Sequence, residues 1–188
     1  KAVIEEMNRL GMIVDLSHAG KQTCIDAIDF SSKPVAISHA NPSFFHKSIR
    51  NIDSDVLQKL AKKNGFIGLS LYPYHLKNLG KCKVEDFCSM IRELINLIGE
   101  DNIGIGSDLC LNWPDETVMW MRNGKWTKKI DYGESKDKNP KWPELPNWYS
   151  KPSDLKNLFI SMCENNISEK VAVKIIGQNW LNFMKNQF

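Results

Sequence analysis

No long hydrophobic run occurs in the 188 residues: uninterrupted apolar stretches such as 11–14 and 66–69 hold four to six residues. A bilayer crossing needs roughly 20, so no membrane span is expected. Neither charge dominates, with 25 Lys+Arg against 22 Asp+Glu and a formal net charge of +3. That balance supplies no basic stripe for a phosphate backbone, and nucleic acid is not expected as a partner. Cysteine is sparse and odd in number (Cys24, Cys82, Cys88, Cys110 and Cys163), with no Cys-x-x-Cys pair. Reduced thiols, a cytoplasmic location and burial as small apolar residues are therefore expected in preference to a disulfide framework. The first nine residues carry Glu5 and Glu6 and no apolar core, unlike a signal peptide, and the missing initiator Met suggests a start inside a longer protein.

What is present is an ordinary globular composition, 42% hydrophobic and 25% charged, enough for one domain with its own core. Four β-rich runs stand out at 11–18, 34–39, 65–72 and 102–108, and each ends in small or polar residues. Continuous apolar runs, rather than strict alternation, mark strands covered on both faces of a parallel sheet. Between them lie helical patterns at 20–30, 53–63 (with Asp53 as its cap and Asn64-Gly65 as its stop) and 84–98, whose stripe is Phe87, Ile91, Leu94, Ile95 and Ile98. Two more helices are expected at about 153–165 and 168–186. Strand and helix in alternation predict βαβ units. Residues 110–152 differ in kind: Trp113, Trp120, Trp126, Trp142 and Trp148 fall here among five prolines, a long excursion suited to a site, a lid or an interface.

Two of the four histidines end strand-like runs in the same way, His18 after Asp15-Leu16-Ser17 and His39 after Ala36-Ile37-Ser38, while Asp108 ends Gly104-Ile105-Gly106-Ser107. In a parallel α/β barrel the strand C-termini open onto one face, so two imidazoles and a carboxylate would meet there. These are ligand types that Zn²⁺ accepts. A Ser-His-Asp triad is the alternative, although neither Ser17 nor Ser38 sits in a Gly-x-Ser-x-Gly turn. His46 and His75 read as surface histidines in loops. Tyr72 and Tyr74 read either as pocket rim or as packing against Pro73.

The segments Asp15-Leu16-Ser17-His18, Pro34 to Asn41, Ile49-Arg50-Asn51-Ile52-Asp53, Gly65 to Gly68 and Ile103 to Asp108 together resemble the membrane dipeptidase (renal dipeptidase) family of zinc peptidases. Order and gaps are kept, with 21 residues between the histidines, 11 from His39 to Arg50 and 58 from Arg50 to Asp108. The resemblance implies a TIM-type (β/α)8 barrel and hydrolysis of dipeptides by a zinc-activated water. It implies that His18 and His39 hold one zinc of a binuclear pair, that Arg50 receives the substrate's carboxylate, and that Asp108 is the catalytic acid that handles the proton. The family's first-strand His-x-Asp pair, the Glu that bridges both metals and a further His have no counterpart here. Where the family continues Asp-Phe-Asp-Gly, this chain reads Asp108-Leu109-Cys110-Leu111, as a divergent branch would.

Residues 1–188 are thus expected to supply about the second half of a single barrel domain plus C-terminal helices. Half a barrel leaves strand edges unpaired and an interior open. The N-terminal half, as a missing or separate chain, or a second copy in a homo-oligomer, is therefore expected as partner. Two other functions stay open: a catalytically inactive, barrel-derived binding subunit, and a related amidohydrolase acting on a non-peptide amide.

Overall fold

The computed structural model describes residues 1–117 and 141–187. They form an α/β layer structure around three parallel strands, β1 (Ala36–Ala40), β2 (Phe66–Leu69) and β3 (Ile103–Ile105), neighbours in chain order. Helices α1 (Ala2–Leu10) and α2 (Lys21–Phe30) precede β1. Helix α3 (Ser54–Lys62) links β1 to β2, and α4 (Val84–Ile98) links β2 to β3. After the excursion come α5 (Leu155–Glu164), α6 (Glu169–Val173) and α7 (Asn179–Lys185), the last two joined by a wide π turn over Lys174–Gln178. The single helix expected over 168–186 is thus continuous, with one wide turn in its middle. At this wide turn Lys174 reaches Glu100 (2.6 Å) and Asp101 (2.8 Å), and Asn179 donates to the carbonyl of Ile103 (2.8 Å).

Amphipathic stripes decide which helix faces are buried. Val56, Leu57 and Leu60 of α3, and Phe87, Cys88, Ile91 and Leu94 of α4, are all within 2% of complete burial. Helix α3 packs between α2 and α4, and α4 also meets α5. All four residues of β2 are buried, as expected of a strand covered on both faces. Elsewhere the Phe66 ring meets Trp180 (centroids 4.2 Å apart) and Phe183 (5.3 Å), and the Trp180 indole N–H donates to the carbonyl of Ile105 (2.8 Å).

Several expectations need correction. The run at 11–18 is not a strand: it makes one parallel bridge, Asp15 to Ala36, because the next ladder donor, the Ser38 N–H, turns to the Asp15 carboxylate (3.0 Å) instead of the Leu16 carbonyl. Asp53 occupies the N-cap of α3, yet its carboxylate accepts from Lys21 and Ser43 (both 2.9 Å) rather than from a helix N–H. Helix α1 was not foreseen; its signals are the Glu6–Arg9 pair and Gly11 at φ 73°. All five cysteines are free thiols, but Cys110, in the loop after β3, is exposed, and Cys163 is half-buried. Of the excursion, 118–140, with Trp120 and Trp126, lies outside the described residues.

Candidate functional site

The local sequence around β1 builds the site. Between Ile37, which pairs with Ile67, and Ala40, which pairs with Leu69, two residues of β1 stand opposite Gly68 alone. This is a β-bulge, and it re-aims Ser38 and His39. The bulged Ser38 carbonyl lies so near β2 and β3 that a Cβ on Gly68 would stand 2.1 Å from its oxygen, and one on Gly106 1.8 Å from it. Both positions therefore require glycine.

The bulge brings His39 to His18. Their Nε2 atoms are 2.9 Å apart and their ring centroids 5.0 Å apart. Arg50, which follows β1 in the loop before α3, puts Nη2 at 3.1 Å from the Ser17 carbonyl and 3.2 Å from His18 Nε2. Among the described residues its Nε is buried and has no hydrogen-bond partner. Beside it lies a cavity of about 360 Å³ bordered by His46, Ile49, Tyr74, His75 and Leu79. Asp108 stands in the turn after β3 at φ 51°, a left-handed conformation that Asp tolerates better than most residues. It lines a smaller cavity with Tyr72, and its charge reaches His18.

Electrostatics favour a neutral His18. Burial depresses the imidazole below its ordinary value, Arg50 and then His39 depress it further, and Asp108 and Asp15 oppose them. Asp15 is the hub of the hydrogen bonds beside the histidines. Burial pushes its carboxyl up, but hydrogen bonds from Ser38 and Ser17 outweigh that and hold it below the usual carboxylate range. Its Oδ1 accepts from the N–H of Ser17 (3.1 Å), the hydroxyl of Ser17 (2.7 Å) and the N–H of Ser38 (3.0 Å), and its Oδ2 accepts from the Ser38 hydroxyl (2.5 Å).

The structure thus brings His18, His39 and Arg50 into contact and sets Asp108 within electrostatic reach. His75 is not at the surface: it is 2% exposed, its Nδ1 is 2.8 Å from the Ser70 hydroxyl, and its carbonyl accepts from Asn41 and Asn51. The packed loop after β2 buries it. His46 is half-buried at the cavity. Tyr72 and Tyr74 border the two cavities and also pack, with centroids 5.8 Å apart. Sequence reasoning missed Asp15 and Ser38 as site residues; the one available signal was the Ser that precedes each His.

Do these residues fit a metal ion? Two imidazole nitrogens on one tetrahedral ion, with bonds of about 2.0–2.1 Å, stand about 3.3 Å apart. The observed 2.9 Å needs a widening of only a few tenths of an ångström. Arg50 Nη2 stands 3.2 Å from His18 Nε2, so a cation and the guanidinium would compete for the place in front of that nitrogen. Two ligands are a partial set: among the described residues, no three His, Cys, Asp or Glu side chains group around one point.

Comparison with known proteins follows the same lines. The family model of membrane dipeptidases (peptidase family M19) matches residues 1–115. The dipeptidase tcpJ of Claviceps purpurea is 38% identical over 107 residues, 56% of this chain and 25% of that protein. The dipeptidase aclJ of Aspergillus oryzae is 36% identical over 110 residues, 57% of this chain and 26% of that protein. An amidohydrolase from Pseudomonas aeruginosa superposes over 98% of this chain and 55% of its own, with a TM-score of 0.87 and 29% identity. A Rhodobacter sphaeroides metallo peptidase, liganded with a phosphinate mimic of the dipeptide L-Ala-D-Ala, covers this chain completely with 46% of its own, at a TM-score of 0.77 and 21% identity. The chain spans about a quarter of the length of the curated relatives it matches.

Proposed function

Because the chain belongs to the membrane dipeptidase family, we propose that it forms part of a metal-dependent dipeptidase whose site contains His18, His39, Arg50 and Asp108. The observation that carries this reading is the convergence of the two Nε2 atoms at 2.9 Å with the Arg50 guanidinium beside them. The dipeptidase relatives at 36–38% identity support the substrate class. The likeness in fold supports a (β/α)8 barrel of which these strands are a part.

In that barrel His18 and His39 would hold one zinc of a pair, which when bound supplies a water acidic enough to attack at neutral pH. The remaining ligands would come from residues outside this chain, since two imidazoles alone hold zinc weakly. Arg50 then has a defined task. Its fork can pair with both oxygens of a substrate's terminal carboxylate, and the unpartnered Nε is a donor available for that pairing. In doing so it would release its contact with His18. Asp108 would accept the proton of the attacking water and return it to the leaving amine. The cavity beside Arg50 is large enough for the side chain next to the anchored carboxylate. The open edges of the sheet call for the other half of a barrel or a second copy of this chain.

The test is metal analysis and dipeptide hydrolysis on the protein purified with every companion chain. Zinc in near-stoichiometric amount, with turnover lost on chelation and on Arg50→Ala, is expected. A metal-replete sample that cleaves non-peptide amides but no dipeptide would overturn the reading.

A further inference from the structure

The geometry points to Asp15 and Ser38 as positioning residues that fix His39 in one tautomer, with its proton on Nδ1 and the bare Nε2 presented to the site. Neither residue is among those to which the family resemblance gives a role.

Counting protons leaves one solution. The Ser38 Oγ lies 2.5 Å from Asp15 Oδ2 and 2.7 Å from His39 Nδ1. A serine hydroxyl has one proton. A carboxylate oxygen can only accept, so at 2.5 Å that proton must lie between Ser38 and Asp15; otherwise two lone pairs would face each other. Ser38 can then only accept from His39, and Nδ1 must carry hydrogen. In a neutral imidazole the other nitrogen is consequently bare, and the hydrogen that fills the 2.9 Å gap between the two rings then belongs to His18 Nε2.

Ser17 completes the frame. Its hydroxyl donates to Asp15 Oδ1 (2.7 Å) and accepts from the backbone N–H of His39 (3.1 Å), which fixes the backbone of the residue whose ring Ser38 orients. The bulge makes this possible, because it re-aims Ser38 and His39 so that the Ser38 hydroxyl meets both the Asp15 carboxylate and the His39 ring. Outer-shell partners of this kind orient metal-binding histidines and raise their basicity. Here the outer shell is a carboxylate acting through a hydroxyl.

An isosteric change should invert the tautomer. In Asp15→Asn the amide oxygen must take the Oδ1 place, because two backbone N–H groups, of Ser17 and Ser38, point at it and cannot become acceptors. The amide NH₂ is then forced against Ser38, which must accept from it. The Ser38 proton swings to His39 Nδ1, and the ring's own proton moves to Nε2. One atom exchanged four bonds away thus closes the lone pair that faces His18.

The tautomer assignment stands on hydrogen bonds alone; its consequence for zinc rests on the metallodipeptidase reading. The test uses the protein purified with every companion chain, stripped of metal and with this chain labelled with ¹⁵N-histidine, observed by long-range proton–nitrogen correlation at pH about 8, above the ordinary imidazole value of about 6.5. The wild type should show protonated Nδ1 and bare Nε2 at His39. Asp15→Asn should show the reverse, Ser38→Thr should match the wild type, and Ser38→Ala should show a mixture. Protonated Nε2 in the wild type, or an unchanged tautomer in Asp15→Asn, overturns the proposal. Should Asp15→Asn not fold, as judged by circular dichroism, the Ser38 pair decides, and identical His39 signals in Ser38→Ala and the wild type overturn it. Zinc titration gives the second reading, with a loss of about 10–100-fold in affinity expected for Asp15→Asn. The expected tautomers with no zinc bound by the wild type would uphold the relay and overturn the metal reading.

Discussion

Replacing Gly68 by alanine should damage fold and site together. The added Cβ would meet the Ser38 oxygen at 2.1 Å, the Ser38 carbonyl carbon at 2.9 Å and the Trp180 ring at 2.9 Å. Ordinary contact begins near 3.4 Å, so the Ser38 carbonyl would have to retreat by about 1.3 Å in an interior without spare volume. The obstacle is backbone, so no rotamer relieves it. Overpacking of this kind costs about 1–3 kcal/mol. The retreat also carries Ser38 away from Asp15 and His39, and bonds of 2.5 and 2.7 Å do not survive a displacement of that size. Losing one net hydrogen bond adds about 1 kcal/mol, for a total of about 2–4 kcal/mol. With a urea m-value of about 2 kcal/mol/M, the unfolding midpoint should fall by about 1–2 M. Gly177→Ala is the control: nothing lies within 4 Å of its Cβ, and alanine there should be neutral or slightly stabilising. A Gly68→Ala midpoint within about 0.2 M of wild type, with unaltered His39 resonances, would refute the reasoning.

Two further outcomes follow from the same geometry. Because His18 is depressed by burial first and by Arg50 next, the unfolded chain binds the proton more readily than the folded one. Stability from this group is therefore complete above about pH 6.5 and is lost as the pH falls below it. Arg50→Ala should raise the His18 titration midpoint, read from its ring C–H shifts; a midpoint that stays or falls would contradict the assigned cause. Among the thiols, burial pushes Cys82 up to about 12 and Cys88 to about 11, and it raises Cys24 as well. Alkylation of the native chain near pH 8 should mark the exposed Cys110 first and spare these three until denaturant is added. Labelling of Cys82 at the same rate as Cys110 would show that the turn leading into α4 opens in the native state.

Local pattern alone determined much of this chain. Each buried strand is a short apolar run with both faces covered, and the stripes of α3 and α4 name their own buried sides, because period and burial are properties of neighbours in sequence. The pairing of His18 with His39 was legible too, since each ends a strand-like run behind a serine. What the sequence could not decide was where a ladder stops. Whether the Ser38 N–H continues the ladder or turns aside depends on the Asp15 carboxylate, 23 residues away in the chain. Likewise, nothing local marks Gly68 and Gly106 as the space that lets the Ser38 carbonyl pass, or predicts that His75 is buried beneath Asn41 and Asn51. Hydrogen-bond competition and close backbone approach are settled only when distant segments meet, and in this chain those contests decided the site.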